Sequence, residues 1–179
     1  MSDKDEAEKV GQAAREFVSL AIDRLGNEKG VHAETAIAAV ARMAGTFLFR
    51  SFGFTLPDAE PGQAVLSEQA NEQGPRLVNI AATVLEDAGV TLDFNKVTDE
   101  SRSGHEPLLS FLDTQKLLEP YFNTVRENLG LSLIQAADAG ALAAAMLVRQ
   151  TAQILDSNVA FDLAVFSFIE GSKTMPSDF

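Results

Sequence analysis

The chain is 179 residues long, enough for one domain that buries roughly 70% of the surface its unfolded form exposes, without a disulfide or metal staple. Its 26 acids against 14 bases leave a net charge of −12, and with no Lys/Arg run to offset that field a phosphate backbone is repelled, which excludes nucleic acid as a partner. No cysteine is present, which removes disulfides, thiolate metal sites, iron–sulfur clusters and cysteine nucleophiles.

Apolar residues make up 46% of the chain, and twelve Phe stand against one Tyr and no Trp. Phe has no polar atom to keep wet, so most of these rings belong in a core or an apolar contact surface. The start, Ser2-Asp3-Lys4-Asp5-Glu6, is acidic and has no apolar stretch behind it, unlike a signal peptide. The most apolar segments are Ala36 to Phe54, which contains Arg42 and Arg50, and Ala139 to Val148, which is too short to cross a bilayer. These features lead us to expect a soluble, cytoplasmic protein that makes no membrane contact.

Ser2-x-x-Asp5 has the form of a capping box, and acids crowd the first turn behind it, where the helix dipole favours them. Val10, Ala14, Phe17, Ala21 and Leu25 then recur every three or four residues, which predicts an amphipathic helix ending at Gly26-Asn27. A second helix is expected from about His32 to Phe52. Its apolar arc, built from Ile37, Val40, Met43, Ala44, Phe47 and Leu48, is too wide for a surface helix and implies burial on more than one side. Residues 53–62 carry two prolines and two glycines and read as a loop.

A third helical region covers about Gly62 to Ala88, with a kink or a break at Gly74-Pro75, because proline lacks the backbone donor and clashes with the preceding turn. Residues 90–104 are polar and predict a surface loop or a disordered segment, with a lid or contact loop as the functional alternative. A fourth helix is expected to open near Glu106-Pro107 and to kink or split at Pro120. Ser132-x-x-Gln135 is a capping box for a fifth helix running to about Leu155. There Ala136, Gly140 and Ala144 repeat every fourth residue, a pattern that lets another backbone approach closely. The last helix, about Val159 to Glu170, is apolar nearly all round and should be buried; Asp156-Ser157-Asn158 only weakly separates it from the fifth. Residues 171–179 read as a loose tail. The expected architecture is all-α: a single domain over 1–179, formed by a bundle of about six mostly antiparallel helices.

The chemistry-bearing motifs are few. The two histidines, His32 and His105, have no Glu three residues before them, so the pairing of a di-iron bundle is missing, and we expect neither a metal nor a cofactor. No G-x-S-x-G, P-loop or G-x-G-x-x-G occurs. His32 reads as a helix-start cap, with ligand binding as the alternative. Charges inside apolar helices remain: Arg42 and Arg50, about 80° apart around their helix, with Asp138, Arg149, Asp162 and Glu170. Either they form ion pairs that set helix register, or Arg42, Arg50, Asp138 and Arg149 line a pocket for a small anionic ligand. Phe47, Phe49, Phe52 and Phe54 fan around one helix end, and with the last helix they present more apolar surface than one bundle covers, which points to a homodimer. The expected role is a homo-oligomeric interaction or ligand-binding module, with an enzyme of unrecognised class as the alternative.

Overall fold

The computed structural model describes residues 3–178. Among them are six α-helices: α1 (Asp3–Leu25), α2 (Ala33–Ser51), α3 (Glu68–Asp87), α4 (Phe111–Leu129), α5 (Leu133–Gln150) and α6 (Ser157–Ser172), with a single 3-10 turn at Phe94–Lys96. The protein is an all-α, multi-helix bundle. No single described helix is long and apolar enough to cross a membrane.

α2 is the central element and packs against all five other helices, most extensively against α5 and α6. The breadth of its apolar arc is the cause: every residue from Thr35 to Phe49 is buried. Close approach is possible because the contact positions carry little or no side chain. A Cβ added to Gly140 of α5 would lie 2.7 Å from the Ala44 Cβ of α2. One added to Gly171 of α6 would lie 2.2 Å from the Arg42 carbonyl oxygen. The small-residue stripe of α5 therefore faces α2, as its spacing predicts, and Gly45 with Gly171 forms a second contact of this kind that the spacing does not reveal. On the other side of α2, Phe17 of α1 stacks on Phe122 of α4 at 4.1 Å between ring centroids and lies 6.2 Å from Phe47.

Local signals explain most helix ends. The Ser132 capping box is formed on both sides. Gly130 ends α4 in the left-handed conformation at φ 67°, which costs glycine no Cβ clash. The expected box at Ser2 lies outside the described residues. Several boundaries differ from expectation. α3 opens at Glu68 rather than near Gly62, because Ser67 accepts from the Ala70 N–H and caps it. α4 opens at Phe111 rather than near Pro107, because the cap is Ser110, whose hydroxyl accepts from the Asp113 N–H. α5 stops at Gln150, and Asp156 caps α6 by accepting from the Asn158 and Val159 N–H groups, so the two are separate helices. Neither Pro75 nor Pro120 splits its helix; α3 and α4 each run through it as one element.

Two segments with polar or loop-like composition make specific contacts with the helices. In the polar stretch 90–104, Leu92 and Val97 pack on the core, and Phe94 meets Phe161 of α6 edge-on at 5.8 Å. The Asp162 carboxylate, fully buried on α6, accepts from the Arg102 guanidinium at 2.9 Å and from the Ser101 hydroxyl. The stretch expected to be a loose tail is tied down through Ser177. Met175 exchanges backbone hydrogen bonds with Gly62 and Gln63 (both 2.8 Å), and the Val65 N–H donates to the Lys173 carbonyl at 2.7 Å. Residue 179 lies outside the described residues.

Candidate functional site

Of the charges set among apolar helices, Arg42, Arg50, Asp138, Asp162 and Glu170 each meet a partner of opposite sign. Arg42, 6% exposed, donates from Nε to Glu170 of α6 at 2.6 Å and from Nη1 to the Leu109 carbonyl at 2.7 Å and the Thr114 hydroxyl at 3.3 Å. Arg50 donates from Nε to Glu119 of α4 at 2.5 Å and from Nη2 to the Ser177 carbonyl at 2.6 Å. Glu119, itself 1% exposed, also accepts from the Gln115 amide at 2.5 Å. Burial pushes its carboxyl up, and the hydrogen bonds and charge of Arg50, with Gln115, only partly offset that. Asp138 on α5 takes a two-pronged hydrogen bond from Arg76 of α3, at 2.7 and 2.5 Å, and the same bond brings Arg76 above its ordinary value, against the opposing effect of burial. Arg149 lies exposed in the last turn of α5.

These are helix-to-helix ties. Arg42 and Arg50 each have an internal carboxylate of their own instead of converging on a shared ligand position. Paired inside a bundle, such charges fix which helix faces which and at what register, since a slipped helix would leave a buried charge alone.

Both histidines do converge. His32 caps α2: its Nδ1 accepts from the Thr35 N–H at 3.3 Å and lies 2.8 Å from the Thr35 hydroxyl. That hydroxyl accepts from the Leu108 N–H at 2.9 Å, so it donates to Nδ1. The proton of the neutral His32 ring therefore sits on Nε2, which faces Glu34 at 3.4 Å. His105, from the loop before α4, donates from Nδ1 to the other oxygen of Glu34 at 3.0 Å, which leaves its Nε2 as the basic nitrogen of the neutral ring. Burial raises the Glu34 carboxyl; the His105 hydrogen bond, Glu34's own backbone N–H and the positive charge of the two rings in their protonated form outweigh it and bring the group below its ordinary value. Next to this cluster, Arg24, His32, Thr35, Leu108, Leu109 and Leu117 line a cleft of about 220 Å³, small beside the roughly 300–1,000 Å³ of ordinary ligand pockets. No group of three or more His, Asp or Glu side chains among the described residues is placed to hold a metal ion. Sequence spacing joins His32 to Glu34 but carries no sign of His105, which comes from 71 residues further along.

The apolar candidates divide. Phe47 and Phe49 are buried within the chain, at 1% and 5% exposure. Phe52 and Phe54 are half-buried and close a ring cluster with Phe49, the three centroids lying 5.4 to 6.5 Å apart. The fan thus covers most of its own surface. α6, expected to be buried all round, leaves Phe166 and Ile169 43% and 46% exposed, one turn apart. Beside Ile169 an apolar cleft of about 280 Å³ runs between α6 and α3, floored by Ala70, Gly74, Pro75 and Val78. Its remaining lining residues are Asn71, Asn79, Ser172 and Lys173; none is an acid, although the chain carries 26.

No protein-family model, curated protein or solved structure matches this chain.

Proposed function

We propose that the protein is a homo-oligomeric interaction module, assembled as a dimer through the outer face of α6 and the adjoining surface of α3. The observation that carries this reading is the exposed pair Phe166 and Ile169 next to an acid-free apolar cleft. In a chain of net charge −12 two copies repel on average, and the lining of this cleft adds no carboxylate to that repulsion. A projecting pair and a hollow lie side by side on one surface. Two copies related by a two-fold axis can seat each other's projection in the hollow, the self-complementary arrangement of an isologous interface. Arg102 covers one face of the Phe166 ring at 4.4 Å, which leaves Ile169 as the main anchor.

Ile169→Lys tests this, since a half-exposed position tolerates lysine in the folded monomer. Light scattering at micromolar concentration is expected to give twice the mass of one chain for the unsubstituted protein and one chain for Ile169→Lys, with equal helix content by circular dichroism. A single-chain mass for the unsubstituted protein overturns the reading.

A further inference from the structure

Arg42, Arg50, Arg76, Arg102 and Arg126 spend their donors on carboxylates and carbonyls of the protein. Arg24, in the last turn of α1, makes no hydrogen bond to a described residue, and the Asp23 carboxylate stands 3.9 Å from its Nε. The Tyr121 ring of α4 holds the guanidinium instead, 3.6 Å from the ring centroid. A guanidinium held by its face keeps the N–H groups of its edge available. Arg24 lines the cleft of about 220 Å³ beside the histidine cluster. There the Thr35 hydroxyl is already used by His32 Nδ1 and the Leu108 N–H, and His32 Nε2 faces Glu34. Asn27 accepts from the Lys29 N–H through Oδ1 at 2.8 Å, which leaves its amide NH2 unspent among the described residues. The rest of the lining is Leu25, Leu108, Leu109 and Leu117. Leu108 and Leu109 are pinned to α2, one through its N–H to Thr35 and the other through its carbonyl to Arg42, so this wall is preformed.

We infer that this cleft binds a short aliphatic carboxylate, its head group on Arg24 and Asn27 and its chain against the four leucines. The unspent groups are donors, which call for an acceptor, and the paired N–H groups of a guanidinium edge match the two oxygens of a carboxylate. The leucine wall calls for an aliphatic chain, since a bare inorganic anion would leave it in water. At about 30 Å³ for each water-sized atom the cleft takes about seven heavy atoms, the size of pentanoate or hexanoate. The net charge of −12 opposes an anion at a distance, but exposed charges are screened beyond about 8 Å at physiological salt. No carboxylate belongs to the lining, and Asp23, beside Arg24, is 79% exposed and outside it. The site lies on α1, α2, α4 and the loop before α4, so it is independent of the α3–α6 surface.

Hexanoate is titrated into the nitrogen-15-labelled protein at constant ionic strength. The Asn27 side-chain amide and the Arg24 Nε–H signals are expected to shift along one saturable curve. Arg24→Gln is expected to weaken binding at least about 10-fold, the loss of a hydrogen bond to a charged group. Arg149→Gln, which removes an exposed guanidinium outside the cleft, is expected to leave it unchanged. Hexanol lacks the charge and acetate lacks the chain, and each is expected to bind at least about 10-fold more weakly than hexanoate. Hexanol binding as tightly would mean an apolar hollow in which Arg24 has no part, and acetate binding as tightly would mean a surface charge alone; either result overturns the inference. It is overturned as well by the absence of a saturable shift, or by one confined to another surface such as the α3–α6 cleft.

Discussion

Gly171 has no space for a side chain. Its added Cβ would meet three backbone atoms of α2 at 3.0 Å or less: the Arg42 oxygen and carbon and the Gly45 Cα. Backbone in the middle of a central helix cannot give way as a flexible side-chain tip can. Gly171→Ala is therefore expected to destabilise the protein by about 3 kcal/mol, the upper range for overpacking. Gly11, inside α1, has only the Arg15 guanidinium at 3.6 Å near its added Cβ. Gly11→Ala is expected to stabilise by up to about 1 kcal/mol through helix propensity. Urea unfolding midpoints of the two variants should move in opposite directions; equal shifts would count against the close-contact argument. The repeat Ala136, Gly140, Ala144 is legible in the sequence because small residues spaced by four mark one face of a helix. Gly171 reads only as a helix end. A lone glycine says that something can come close, and nothing about what does.

At the level of elements, the ion pairs and the Glu34 cluster tie segments that the sequence leaves far apart. Periodicity shows which face of a helix is buried but not which helix covers it, so Arg42 and Arg50 stand out as odd charges while Glu170 and Glu119 cannot be matched to them. Helix ends depend on single caps, and Ser110 and Asp156 compete with several other polar residues nearby, which explains the misplaced starts of α4 and α6. The Glu34 tie has a pH signature. Its carboxyl lies below the ordinary 4.5 in the folded protein, so near 4.5 the unfolded chain binds the proton more readily. The stabilisation is then complete above that value and is lost as pH falls through the lower, folded-state value. Glu34→Gln keeps the shape and removes the titration. The stability gap between the two proteins is expected to close on acidification below about pH 4.5. Denaturant midpoints at and below that pH would show it, and a gap that persists there undiminished would refute the assignment.

For the molecule as a whole, class and central helix were readable, and the closure of the bundle was not. The wide apolar arc of α2 implies a helix wrapped on several sides, and it is. The equally apolar α6 implies the same, yet it lies at the outside with one face open and a buried carboxylate facing the polar stretch 90–104. Composition cannot distinguish a polar loop lying free from one whose charges are spent on a buried partner. Arg102 makes that difference: it meets a fully buried Asp162, covers Phe166 and pairs with Asp99. Arg102→Met keeps the apolar stem and removes the charge, leaving Asp162 with the Ser101 hydroxyl alone. Breaking one side of a buried pair costs about 3 kcal/mol, and the loop is the part free to relax. The Ser101, Ser103 and His105 amides, hydrogen-bonded to carbonyls within the loop, are then expected to exchange with deuterium about 100-fold faster, while those of α2 and α5 slow to the rate of global unfolding as before. Uniform acceleration across all helices would mean that the pair holds up the entire bundle, and no acceleration in the loop would mean that it holds nothing.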